Sequence, residues 1–276
     1  MILLLQLFFA LAMTVYYVVK SAVVLNFLGV LSILGVFIAS AVAFMIVLVI
    51  LFAITIFVTE KSDKKSMFKH GLLNVFARYV FLDLFRVKLV VTGKENLPTN
   101  RLFVVISNHI EYTDPIYLKV VFHKFPLSFV AKEPLFKVFL IKQILAGSGN
   151  IPISKNADRS AMKSIVESIK AVKDGQPMGI FPEGMRTYKN ELIDFKPGAF
   201  KLAQKPGADI IPVCLYNMHG VLKKGRIKRH TAYIHIFPKI PYSEYQDLDT
   251  IDVAEKVKAI ILEKQNEFKK TIKEDC

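Results

Sequence analysis

The chain has 276 residues, an apolar fraction of 53% and a mean hydropathy of +0.40, values too high for a protein that lives wholly in water. Its formal charge is +14, yet it carries two cysteines and no groove-reading or base-stacking motif. A disulfide scaffold, a Cys/His metal site and sequence-specific nucleic-acid binding are thereby set aside, and a reducing, cytoplasmic-side setting is expected.

The apolar excess is concentrated at the start. From Met1 to Val58 the only charged side chain is Lys20, so residues 1–58 read as a membrane segment. A helix over Ile2–Val19 would be roughly 27 Å long, close to the ~30 Å of a bilayer's hydrocarbon. Ala22–Val58 would run to roughly 55 Å, too long for one upright span and slightly short for two with a loop. Two spans in all are expected, with three or a re-entrant path as the alternatives. A cleaved signal peptide fits poorly, because no basic leader precedes the apolar run and more apolar sequence follows it.

Residues 59–87 change character. Lys61, Lys64, Lys65, Lys69 and Arg78 follow the apolar block at once, and the positive-inside bias puts this side in the cytoplasm. Ser66–Arg86 has apolar residues at Phe68, Leu72, Val75, Phe76, Tyr79 and Leu82, which is helical spacing. Such a helix either packs on a core or lies in the membrane interface and seats the following domain there. With Lys20 set aside, 36 basic and 23 acidic side chains remain, a net of +13 that favours anionic lipid and phosphorylated substrates.

Residues 88–276 alternate between short apolar runs and longer mixed ones. KLVVT, RLFVVIS, LSFVAK, MGIFP, DIIPVCLY and AYIHIFP predict strands, the fifth burying Cys214. Pro115–Phe122, Ser160–Lys173, Ala199–Gln204 and Asp252–Lys270 predict helices, with Gly175 as a stop after the second. This alternation predicts an α/β domain, a mixed sheet flanked by helices.

Two segments carry the chemistry. In LFVVISNHIEYTDP a buried strand runs into polar residues at its carboxyl end, where α/β sheets build sites. His109 and Asp114 are five apart there. Asp114 precedes Pro115 and is either a plain helix N-cap or the carboxylate that steers the His109 ring. In the second case the other ring nitrogen is a positioned base, since imidazole titrates near ~6.5. In MGIFPEGMRT another strand enters a Pro182-Glu183-Gly184 turn followed by Arg186, whose guanidinium can grip phosphate with two donors. Taken alone, that turn is ordinary.

Together the segments resemble the glycerolipid acyltransferase family, whose first block is NHxxxxD and whose third is FPEGTR followed by a small hydroxyl residue. Here these stand as Asn108-His109 with Asp114, and as Phe181 through Thr187 with Met185 in place of the family's threonine. Phe129-Val130-Ala131-Lys132-Glu133 with Phe136 is similar to the second block, trailed by Gly149, Ile153 and Arg159. Lys196-Pro197-Gly198-Ala199-Phe200 with Ile211-Pro212-Val213 is similar to the fourth. The resemblance spans roughly residues 88–220. It implies acyl transfer from a thioester, acyl-CoA or acyl carrier protein, to the hydroxyl of a lysophospholipid such as lysophosphatidate, with no metal or organic cofactor. It further implies His109 and Asp114 as the catalytic pair and Arg186 with Lys132 on the acceptor phosphate. Glu183 and Gly184 shape that pocket, and Arg159 is a further substrate-binding position.

Other readings stay open: a relative acting on another lysolipid, or a non-catalytic adaptor holding anionic lipid. A serine hydrolase is disfavoured, since Ser148 in AGSGN is not a nucleophile elbow. The run Lys223, Lys224, Arg226, Lys228, Arg229 and His230 reads as a docking patch for an acidic carrier or lipid, or as a solvated loop.

Overall fold

The computed structural model describes residues 1–154, 159–221, 226 and 228–272. Its chain divides into two compact units, Met1–Thr59 and Glu60–Cys276. The first consists of α1 (Ile2–Ser21) and α2 (Phe27–Thr59), both long and apolar enough to cross a membrane. The break falls after Lys20, where Ala22 takes a left-handed conformation and Asn26 caps the second helix by accepting from the Gly29 amide at 2.8 Å. Gln6, a lone amide in apolar surroundings, donates to the Ala41 carbonyl at 2.9 Å, which satisfies a group that hydrocarbon could not.

Among the described residues the second unit is built on seven strands: β1 (Val87–Thr92), β2 (Phe103–Ser107), β3 (Ser128–Lys132), β4 (Ile151–Ile153), β5 (Met178–Ile180), β6 (Asp209–Tyr216) and β7 (His230–Ile236). They lie in the order β1-β7-β6-β2-β5-β3-β4, and every pairing is parallel except β6 with β7. The mixed sheet expected from the sequence is present. β4 was not legible in advance, because three residues containing a proline give no period to read.

Alternation along the central strands divides the core. Val104 and Ile106 of β2 and Ile210, Cys214 and Tyr216 of β6 enter one apolar cluster. Phe103 and Val105, with Ile211, Val213 and Leu215, enter the other. The first face is covered by α6 (Arg159–Lys173) and α8 (Thr250–Thr271), through Val172, Val253, Val257, Ile261 and Phe268, together with the short α7 (Lys201–Gln204). On the other face lies α4 (Asp114–Val121), through Tyr117 and Leu118. Gly175 ends α6 with φ +80°, as its sequence position suggested.

The segment predicted as one helix over Ser66–Arg86 forms α3 (Met67–Ala77) and then widens into a π-helical stretch over Arg78–Leu84. Lys69, one of the basic residues that follow the apolar block, is buried. Its ammonium donates to the Gly147 carbonyl at the end of α5 (Ile141–Gly147) at 2.8 Å and to Ser62 O at 3.2 Å. A helix's last carbonyls lack partners of their own, and the long lysine stem lets a cation reach one through an apolar layer. Its neighbour His70 is also buried, against Lys64 O and the Lys119 ammonium.

Of the docking patch suggested near residue 226, Lys228 and Arg229 are exposed, whereas two other members are turned to the protein's own backbone. His230 is buried in β7, its Nε2 2.6 Å from Asn217 O, and Arg226 donates to the Phe85, Val221 and Lys228 carbonyls. Both side chains bond to backbone oxygens. Lys223 and Lys224 lie outside the described residues.

Candidate active site

The site begins where β2 stops. Asn108 replaces the next rung of the ladder with its side chain, donating to Leu215 O at 2.9 Å and accepting from Leu215 N at 2.8 Å. The chain is thus fixed on β6 at the moment it leaves the sheet. His109 follows at the carboxyl end, and its ring stacks on Phe181 with centroids 4.1 Å apart and planes 18° apart. Phe181 in turn stacks on Phe129 of β3. Gly179 permits this layer, since a Cβ there would stand 2.2 Å from the Phe129 ring.

The Nδ1 atom of His109 lies 2.9 Å from Asp114 Oδ2. That same oxygen accepts from the Ile110 amide at 2.6 Å and the Glu111 amide at 2.8 Å. All three donors precede Asp114, so the carboxylate closes the loop behind it instead of capping the helix ahead. Asp114 is fully buried, and desolvation pushes its proton affinity up, opposed by His109 and the two amides.

The 181–188 turn is tied to this loop by backbone. Thr187 N donates to His109 O at 3.0 Å and Tyr188 N to Ile110 O at 3.1 Å, while Glu183 Oε2 accepts from His109 N at 3.3 Å. Tyr188 holds φ +56°, a strained conformation for a residue with a side chain. Its ring and that of Tyr112 flank Arg186, whose Cζ is 3.5 Å from the Tyr112 centroid and 5.6 Å from that of Tyr188. The guanidinium lies within cation–π range of two exposed tyrosines, closest to Tyr112.

Of the residues singled out in the sequence, His109, Asp114, Glu183, Gly184 and Arg186 come together. Gly184 has φ +71°, and Lys196 Nζ sits 2.7 Å from where its Cβ would be. Lys132 closes β3 and Arg159 opens α6 at the same end of the sheet, but the bonds that join the two loops include neither. Tyr112 and Tyr188 were missed, as was the stacking role of Phe181, which the sequence offered only as a member of the third block. A stacking role depends on which rings the fold brings face to face, and nothing in linear spacing reports that. Among the described residues no group of three or more His, Cys, Asp and Glu is arranged to hold a metal ion.

Burial of Glu183 pushes its carboxyl up to about 8. Between the ordinary value near 4.5 and 8, the folded chain holds a proton that the unfolded chain releases, so this group costs stability as pH rises through that window. Glu183→Gln removes the titration. The gap in unfolding temperature between variant and wild type is expected to move in the variant's favour from pH 5 to pH 8. The difference between the curves isolates Glu183, because Lys119 and His70, lowered by burial to about 7 and about 3, titrate in both proteins. A pH-independent gap would remove Glu183 from this role.

The family model described as Acyltransferase matches residues 88–216. A 1-acyl-sn-glycerol-3-phosphate acyltransferase of Borreliella burgdorferi is 34% identical over 172 residues, covering 60% of this chain and 68% of that protein. One of Bacillus subtilis is 32% identical over 141 residues, or 50% and 69% of the two chains. The crystal structure of the 1-acyl-sn-glycerophosphate (LPA) acyltransferase PlsC from Thermotoga maritima superposes with a TM-score of 0.61 at 23% identity, over 73% of this chain and 80% of that one, and supports the fold. The matched span runs from β1 through β6 and encloses both loops of the site, and the chain belongs to the acyltransferase family.

Proposed function

We propose that this chain transfers a fatty acyl group from an acyl thioester to the free hydroxyl of lysophosphatidate, giving phosphatidate. The observation that carries the proposal is the His109 Nδ1–Asp114 Oδ2 contact, formed in a loop bonded directly to the turn that bears Arg186. With Nδ1 committed, Nε2 is the nitrogen that meets the acceptor. It takes the hydroxyl proton as the oxygen attacks the thioester carbonyl. The same proton then passes to the departing thiolate as the tetrahedral intermediate collapses, so no acyl-enzyme forms. Asp114 holds the ring and stabilises the imidazolium between the two transfers. Arg186, held beside the Tyr112 and Tyr188 rings, meets the acceptor phosphate, with Lys132 and Arg159 as further cations on the rim and Glu183 and Gly184 shaping the turn.

The donor is acyl-CoA or acyl carrier protein, a co-substrate, and the reaction calls for no metal or organic cofactor. The names of the relatives support the acceptor. The organisation proposed is a membrane segment over residues 1–58, a basic interfacial segment over 59–87 and a cytoplasmic-face catalytic domain over 88–276, with the lipid acceptor drawn from the same membrane.

Membranes carrying the chain, given lysophosphatidate and an acyl thioester, are expected to form phosphatidate. Product from lysophosphatidylcholine alone would overturn the acceptor, and no product from any lysolipid would overturn the reaction. Arg186→Ala is expected to raise the acceptor KM about 10- to 100-fold, the equivalent of roughly 1.5–3 kcal/mol for a charged hydrogen bond, with little change in the thioester KM. An unchanged acceptor KM would take Arg186 off the phosphate.

A further inference from the structure

The chain between β3 and α5 is apolar where water should meet it. Leu135, Val138, Phe139 and Ile141 are all exposed, Phe139 by 76%, and Lys132, Lys137 and Lys142 stand among them. One acidic residue, Glu133, offsets them through a 3.2 Å pair with Lys137. Leu140 holds φ +69° with ψ −42°, a strained conformation that turns the chain at the tip of this short stretch, between the 3₁₀ turn Glu133–Lys137 and α5. An exposed patch of this kind, concentrated in seven residues and ringed by lysines, is not what a water-facing loop needs.

Its place in the fold is informative. β3 runs parallel to β5, so the tip leaves the sheet at the same end as the 181–188 turn and the His109 loop. α5, which follows the tip, is held to α3 by the Lys69–Gly147 bond. α3 presents its own exposed apolar residues, Phe68 (71% exposed) and Val75, beside Lys61, Lys64 and Lys65. Two apolar surfaces with basic margins are therefore joined by a buried hydrogen bond.

We infer that Leu135–Ile141 is a membrane-insertion tip, which together with the Phe68 face of α3 rests in the surface of an anionic bilayer. Apolar side chains enter the headgroup boundary while the flanking lysines meet lipid phosphates. Charge complementarity selects this occupant over a second copy of the chain, whose tip would bring the same lysines against these. The inference does not depend on acyl transfer, and its test reads no activity.

The sequence contains no tryptophan, so a single introduced indole reports alone. Full-length Val138→Trp and Phe139→Trp proteins are reconstituted into vesicles of phosphatidylglycerol and phosphatidylcholine, with and without brominated acyl chains. The control is Ile251→Trp. β7 runs antiparallel to β6 and delivers the chain to the opposite end of the sheet, where this exposed position opens α8. Blue-shifted emission quenched by bromine at 138 and 139, but not at 251, is the expected result, and quenching is expected to weaken in vesicles of phosphatidylcholine alone. Acrylamide-accessible emission insensitive to bromine would overturn the inference, as would a blue shift that disappears when the protein is diluted into excess lipid, which marks a second copy. A blue shift with no bromine quenching at any dilution would overturn it too, since the chain itself then covers the tip. Equal quenching in neutral and anionic vesicles would overturn the role given to the lysines.

Discussion

Replacing His109 by alanine is expected to slow phosphatidate formation by about 10²- to 10⁴-fold, the range for losing a positioned base. The fold should survive. The ring is part-exposed, with a side-chain accessibility of 16%, and its main packing partner is the face of Phe181. Losing that stack costs about 0.5–1.5 kcal/mol. Asp114 keeps its two amide donors from Ile110 and Glu111, so the loop stays closed when the imidazole is gone. Initial rates on lysophosphatidate, paired with unfolding temperatures, separate the two effects. A variant that matches wild-type rates would take the base out of the mechanism, and a variant that unfolds many degrees early would make the rate uninformative. In that event His109→Gln, which fills the site without an equivalent base, replaces it in the same assay.

Much of this site could be read before the fold was known, for a physical reason. His109 and Asp114 lie on one short loop, and a loop closed within five residues leaves few ways for an imidazole and a carboxylate to avoid each other. Arg186 followed from the resemblance of its block to the family's third, since the turn alone is ordinary. What linear reading could not supply is how the two loops meet. Thr187 and Tyr188 bond to the carbonyls of His109 and Ile110 across 78 residues of chain through their backbone amides, which no residue type advertises, and the Thr187 hydroxyl adds a 3.4 Å bond to His109 O. The same limit explains Lys69. Its charge grouped it with the basic run that follows the apolar block, whereas it serves a helix-end carbonyl that only the tertiary structure brings to it. In the sheet, the longer strands were legible from their valine and isoleucine runs. The three-residue β4 was not, since its pairing with β3 comes from position alone.

Asp114→Ala is expected to do what His109→Ala does to the rate and also to damage the protein. Removing the carboxylate leaves the Ile110 and Glu111 amides without the acceptor that both use, in a region where Asp114 itself is fully buried. Each orphaned donor costs about 1–3 kcal/mol, so a loss of roughly 2–6 kcal/mol in stability is expected, visible as a clear fall in unfolding temperature. Asp114→Asn separates the two roles. Its amide oxygen still accepts from the backbone, so most of the stability returns. The anion that stabilises an imidazolium does not, and the rate should stay well below wild type. The double variant His109→Ala/Asp114→Ala should be no slower than the worse single variant, because the two groups act as one unit on one proton. If Asp114→Asn instead transfers acyl groups at the wild-type rate, the carboxylate is a pin for the loop and no part of the base.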